Sequence, residues 1–177
     1  MKLSKLVTPK SSGFTLIELL IVIAVIGVLA SVVLAVINPL EQLAKSRDAG
    51  RRNAISQLSK SLSAIYISTY TYPAVGAWST DIVSAGEMKV MPAPITGVTT
   101  CTNNVINGFC YQVGTSEAMV YTRLESSTEK IKCTVAGTVP FYLWSSADAK
   151  SGTVCLSAAS EPTAAQATAG LTAAAYK

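Results

Sequence analysis

Three hydrophobic regimes follow one another along the chain. From Leu19 to Ile37 no charged residue interrupts the sequence, and the apolar stretch opens at Phe14 with Glu18 as its one ionisable side chain. About 20 apolar residues span a bilayer as a helix, so residues 14–37 predict a membrane-spanning helix. Next, Ile55, Leu58, Leu62 and Ile65 recur at spacings of three and four, which marks one apolar stripe on an amphipathic helix that packs on a sheet. Asn38-Pro39-Leu40-Glu41 carries helix-start chemistry. Asn38 caps, Pro39 suits the first helical position and Glu41 lies three residues after the cap. The helix therefore restarts or kinks there, runs through 38–72 and ends at Tyr72-Pro73, because the residue before a proline is pushed out of the helical region.

Beyond residue 73 the period becomes two. Residues 74–107 are rich in Gly, Pro, Ser, Thr and Asn and predict a long connecting loop with a short helix around 79–86. Residues 109–113 and 118–125 read as strands, joined by a turn over Gly114 to Glu117. In the second strand Ala118, Val120, Thr122 and Leu124 face one way and Met119, Tyr121, Arg123 and Glu125 the other. A third strand is expected at 139–145, with Phe141, Leu143 and Trp144, and a shorter fourth at 153–157. This order predicts an antiparallel meander packed on the helix, an α+β fold. The globular region spans 73–157. The Ala/Thr-rich tail, 158–177, has too few large apolar groups for a core of its own and reads as flexible or loosely draped. No internal repeat is visible.

Composition narrows the function. Of 177 residues, 50% are hydrophobic and 14% charged, and about 140 residues beyond the apolar stretch suffice for one modest domain. With Lys2, Lys5 and Lys10 of the leader set aside, 11 basic residues stand against 10 acidic. That near neutrality argues against a global nucleic-acid footprint and suits a protein that packs against copies of itself. There is no histidine, so the commonest general base and metal ligand are missing. No nucleophile–base pair, P-loop or dinucleotide motif is present, and the reading is not an enzyme and without cofactor. Cys101, Cys110, Cys133 and Cys155 lack zinc-site spacing. An even count in an exported domain reads as two disulfides. Of the three pairings, Cys101–Cys110 with Cys133–Cys155 is favoured because each closes a short local loop. Asp81, Glu87 and Asp148 lack the alternating-acid pattern of a calcium loop. Glu41, Lys45, Arg47, Asp48, Arg51 and Arg52 read as a solvated helix face, with an anionic surface or pairing between subunits as the other options. Trp78, Tyr70 and Tyr72 are expected to pack on the helix–sheet edge.

The apolar run is too long for the 7–15-residue core of an ordinary secretory signal, and no cysteine follows it to anchor a lipid. The basic residues before it predict a cytoplasmic N-terminus and an exported C-terminal region. A plain uncleaved anchor accounts for these features, but not for Gly13-Phe14 at the boundary or for Glu18 in the first turns. A charge at the centre of a membrane helix costs about 2.5–3.5 kcal/mol. Glu18 sits nearer the end, at a smaller cost, yet still asks for a partner.

Gly13-Phe14-Thr15-Leu16-Ile17-Glu18, with the basic leader and the apolar helix, resembles the type IV pilin and type II secretion pseudopilin family. The resemblance implies a leader, residues 1–13, removed by a membrane-embedded prepilin peptidase between Gly13 and Phe14, and N-methylation of Phe14. It gives Glu18, the fifth residue after the cut, the role of pairing with the N-terminal amine of a neighbouring subunit. An unpaired ion is expensive in an apolar bundle, so cleavage becomes a precondition for assembly. The family's mid-run glycine is kept as Gly27. Its usual proline near position 35 is replaced by Ala35, and the proline comes at Pro39, so helix flexibility is assigned to Gly27 and Pro39. The implied fold is a long N-terminal helix on a small antiparallel sheet. The implied partners are copies of itself in a homopolymeric filament, other minor pilins, the peptidase, an assembly ATPase, an inner-membrane platform protein and the membrane. The protein is then a single-pass cytoplasmic-membrane protein before assembly and part of a surface filament after it. The two expected disulfides and the lack of a calcium loop tilt the reading to a pilus subunit over a pseudopilin. A monomeric membrane-anchored binding domain facing outwards is the alternative from another class.

Overall fold

Pro39 breaks the long helical stretch in two, and the physical reason is local. It has no N–H to donate, and it pushes Asn38 out of the helical region. In the computed structural model, which describes residues 13–96, 101–157, 161–171 and 176–177, α1 spans Leu16–Val36 and α2 spans Pro39–Thr69. Ile37 is extended (φ −87°, ψ 119°) and donates its N–H to the Val33 carbonyl. The chain divides into two units, one ending at Pro39 and one running from Leu40 to Lys177. The leader lysines Lys2, Lys5 and Lys10 lie outside the described residues.

In the second unit α2 is followed by α3 (Trp78–Ser84), β1 (Cys110–Val113), β2 (Ala118–Arg123), α4 (Ser127–Lys130), β3 (Thr138–Ser145), β4 (Lys150–Ser157) and α5 (Ala164–Ala169). The four strands form an antiparallel meander in the order β1-β2-β3-β4, the α+β arrangement expected. The turn between β1 and β2 closes with Gly114 donating to the Glu117 carbonyl. α2 ends where Tyr70 adopts a left-handed conformation (φ 57°).

One face of the sheet packs on α2. Ile55, Leu58 and Leu62 are wholly buried, with Ile65 close behind, against Tyr111, Ala118 and Val120. Trp78, from α3, stacks on Tyr111 at 5.3 Å, and the Tyr111 hydroxyl donates to the Pro73 carbonyl. Burial pushes that phenol's pKa well up. Tyr72 stacks on Tyr66 and meets the edge of Trp144, whereas Tyr70 stays exposed.

The opposite face is a second core. Met119, Tyr121, Phe141, Leu143 and Val154 are buried there with Ala167 of α5. The alternation read in 118–125 is real, but β2 is covered on both sides. This departs from the flexible or loosely draped tail expected over 158–177. Its described residues pack on the sheet: Pro162 and Ala167 are buried, and Tyr176 pairs with Val154. Small residues suffice because they complete a core whose large side chains come from the strands. Residues 158–160 and 172–175 of that tail lie outside the described residues. β4 also starts earlier than the expected 153, because its turn places Ala149 at φ 47° and pairs Lys150 with Ser145.

The charged stretch of α2 is likewise a correction. Lys45 and Arg47 are exposed, but the stretch is not solvated throughout. Asp48 and Arg51 are 3% and 4% exposed. Arg51 Nη1 donates to Asp48 at 2.6 Å, while Nη2 donates to the Thr96 carbonyl and lies 3.2 Å from Glu125. Asp48 also accepts the backbone N–H groups of Glu125 and Ser126. Arg47 pairs with Glu125, and Arg52 and Lys132 with Glu129. Burial pushes the Glu129 carboxyl up, and the hydrogen bonds and charges of Lys132 and Arg52 outweigh it, holding the carboxyl below its ordinary range. Glu41 accepts the N–H groups of Ser127 and Thr128 at the start of α4. The loop after β2 turns its backbone donors toward α2, and buried donors need acceptors.

The cysteines form Cys101–Cys110 and Cys133–Cys155. The first is buried beside Tyr121, and the second joins the segment after α4 to β4.

Candidate processing and assembly site

The site is the entry to α1. Gly13 and Phe14 lie before the helix, and Thr15 is its extended N-cap (φ −79°, ψ 152°). Phe14 is 86% exposed. The Gly13–Phe14 bond thus lies in non-helical backbone, outside the hydrogen-bonded ladder. A peptidase must reach such a bond from the side, and a glycine leaves its backbone unshielded.

Glu18 is turned back toward that end. One of its carboxylate oxygens accepts both the Thr15 N–H (2.9 Å) and the Thr15 hydroxyl (2.8 Å), while the Glu18 N–H donates to Thr15 Oγ1 at 3.3 Å. This is a capping box, in which two orphan donors of the helix end are satisfied reciprocally. The carboxylate is also at the positive end of the helix dipole. Glu18 therefore has a local partner, one residue away from the nitrogen that cleavage after Gly13 would free. Thr15 was the missed member of the site. Its signal was in the sequence as the Thr-x-x-Glu spacing directly before an apolar run. Replacing Thr15 with valine removes the hydroxyl at nearly constant shape. Faster amide hydrogen exchange at Glu18 and Leu19 in micelles is the expected outcome, and unchanged exchange would show that the cap is not made.

Behind the cap, α1 is apolar all round, and each of its described side chains is exposed. Leu16–Leu34 is long and apolar enough to cross a membrane, with a mean hydropathy of 3.0. At 21 residues the helix is about 30 Å long, near the thickness of a hydrocarbon core. The hydroxyl of Ser31 donates to the Val28 carbonyl at 2.7 Å, so it brings no unsatisfied polar group into this helix. Gly27 lies within the unbroken helix, and a Cβ there would meet nothing within 4 Å. Pro39 is the first residue of α2.

No group of three or more His, Cys, Asp or Glu could hold a metal among the described residues. Asp148, weighed for calcium, instead accepts the Leu171 N–H and the Tyr176 hydroxyl.

The arrangement defines a class: a helix built for an apolar surrounding, capped by a carboxylate and preceded by an accessible Gly-Phe bond. Residues 8–34 match the family model of the prokaryotic N-terminal methylation motif. The chain therefore carries the class III signal characteristic of type IV pilins and pseudopilins. No curated protein and no solved structure matches it.

Proposed function

We propose that this chain is the structural subunit of a cell-surface type IV pilus-like filament. A prepilin peptidase cuts it between Gly13 and Phe14 and methylates Phe14, and the subunits polymerise through α1. The observation that carries this reading is the methylation motif over residues 8–34 ending in a helix whose one acid lies at its start. A freed Phe14 ammonium on one copy and Glu18 on the next would neutralise each other inside an apolar bundle, where either ion alone would be costly. Copies of the chain, the peptidase, an assembly ATPase and an inner-membrane platform protein are the partners this implies. The chain crosses the cytoplasmic membrane before assembly and leaves it as the filament grows. A type II secretion pseudopilin carries the same motif and is the second reading. The two disulfides favour the pilus subunit.

Sheared surface fibres test the proposal. Their main protein is expected to begin at Phe14 with one added methyl group by mass spectrometry. A chain of intact mass that never enters fibres would remove it. Glu18→Ala is expected to insert normally and yield far fewer filaments by electron microscopy, whereas normal filament numbers would end the pairing argument.

A further inference from the structure

β4 is an outer strand of the sheet. An unpaired edge is a template for a strand from another chain, and a protein that must pack against many copies through one helix has reason to block it. Here the block is part of the same chain. Tyr176 bridges Val154, and the Lys177 N–H donates to the Thr153 carbonyl at 2.8 Å.

The seat for this segment is built from several directions. The ring of Tyr176 occupies the space where a side chain at residue 152 would stand, since a Cβ on Gly152 would meet it at 2.6 Å. Lys150 Nζ sits 4.4 Å from the ring centroid. Asp148 accepts the Tyr176 hydroxyl at 2.7 Å and the Leu171 N–H at 2.8 Å. Gly170, at φ 75°, lies against Asp148 so closely that a Cβ would meet its carboxylate at 2.4 Å. A second carboxylate holds the other end. Glu161 accepts the N–H and hydroxyl of Thr102 (2.7 and 3.1 Å), the N–H of Asn103 (3.1 Å) and the hydroxyl of Tyr121 (3.2 Å). Between the two, α5 lays Ala167 on the sheet face made by Met119, Tyr121 and Phe141.

We propose that residues 161–171, with Tyr176 and Lys177, form a strap that guards the outer edge of β4 against pairing with β4 of a second copy of this chain. Two carboxylate latches, Glu161 and Asp148, hold it. The second copy is the occupant because the same strand, turned through a two-fold axis, meets itself antiparallel. The chain's near balance of charge beyond the leader leaves little repulsion to keep copies apart. Lifting the strap also bares Met119, Phe141, Leu143 and Val154 on the adjoining face, so the edge and an apolar surface become available together.

The test uses the full chain in detergent micelles and amide hydrogen exchange. Gly152→Ala evicts the Tyr176 ring, and Asp148→Asn weakens the latch without touching β4 sterically. Each is expected to speed exchange at Leu171 and Lys177 by about tenfold or more, with α2 still protected. As protein concentration rises, the β4 amides of the variants are expected to regain protection while those of the unaltered chain do not change. Unaltered exchange at Leu171 and Lys177 in both variants would overturn the latch. Fast strap exchange with β4 unprotected at every concentration would overturn the guard. If Gly152→Ala loses protection in α2 as well, the Asp148→Asn result decides by the same two readings.

Discussion

Replacing Asp48 with alanine lowers the unfolding free energy of the second unit by about 3–5 kcal/mol, the cost of leaving a buried charge without its mate. The size follows from what the carboxylate does. It takes one guanidinium nitrogen of Arg51 at 2.6 Å and the backbone N–H groups of Glu125 and Ser126. Both side chains of the Asp48–Arg51 pair are only 4% exposed, so water cannot replace the lost acceptor. Removal thus orphans two peptide donors, which are expensive to bury unpaired, and leaves Arg51 leaning on Glu125 alone within its ion-pair set. Asp48→Asn keeps an acceptor but not the charge, and an intermediate loss is expected. Denaturant melts followed by the fluorescence of Trp78 and Trp144 measure both. A loss of about 0.5 kcal/mol, the size typical of an exposed ion pair, would mean that the network is loose in solution.

With the cut proposed after Gly13, Gly13→Leu is expected to abolish maturation. The bond after Gly13 lies in backbone that has left the helix, and a peptidase closing on it needs the main chain near its catalytic groups. A leucine side chain holds that backbone away, and a misplacement of about 1 Å can cost a hundredfold in rate. The expected result is a chain that accumulates at its precursor mass in the membrane fraction, with no methylated Phe14. Gly13→Ala, with a single added carbon, is expected to be cut more slowly, not blocked. Normal yields of the Phe14 terminus from Gly13→Leu would place the cut elsewhere.

Much of this fold is written in apolar spacing. The stripe of Ile55, Leu58, Leu62 and Ile65 is buried as its period requires, and the meander lies in the expected order. What escaped is a matter of chemistry that hydrophobicity does not register. Ala44, Asp48 and Arg51 continue the same stripe at spacings of four and three, and they are buried with it. Their phase was legible, but the charges of Asp48 and Arg51 argued for solvent, and the partners that repay the burial lie far along the chain at Glu125 and Ser126. The second face of the sheet escaped for a related reason. Ala167 and Gly170 look like tail material until the second core and the Asp148 carboxylate are set against them. At the entry of α1, Gly13, Phe14 and Glu18 are singled out by the resemblance of their motif to the pilin family, not by hydrophobic spacing. The hydroxyl of Thr15 completes the group through the capping box with Glu18, a Thr-x-x-Glu spacing that hydrophobicity does not register.

The closed pairing of Asp48 with Arg51 sets how the folded region responds to ionic strength. Dissolved ions shield charges over about 10 Å at 0.1 M, but chiefly those in contact with solvent. Arg47 and Arg52, at 42% and 36% side-chain exposure, fall within reach of that shielding, and the inner pair does not. Brine therefore loosens the outer members of the cluster first, leaving α2 clamped to the loop after β2 from dilute to saline surroundings.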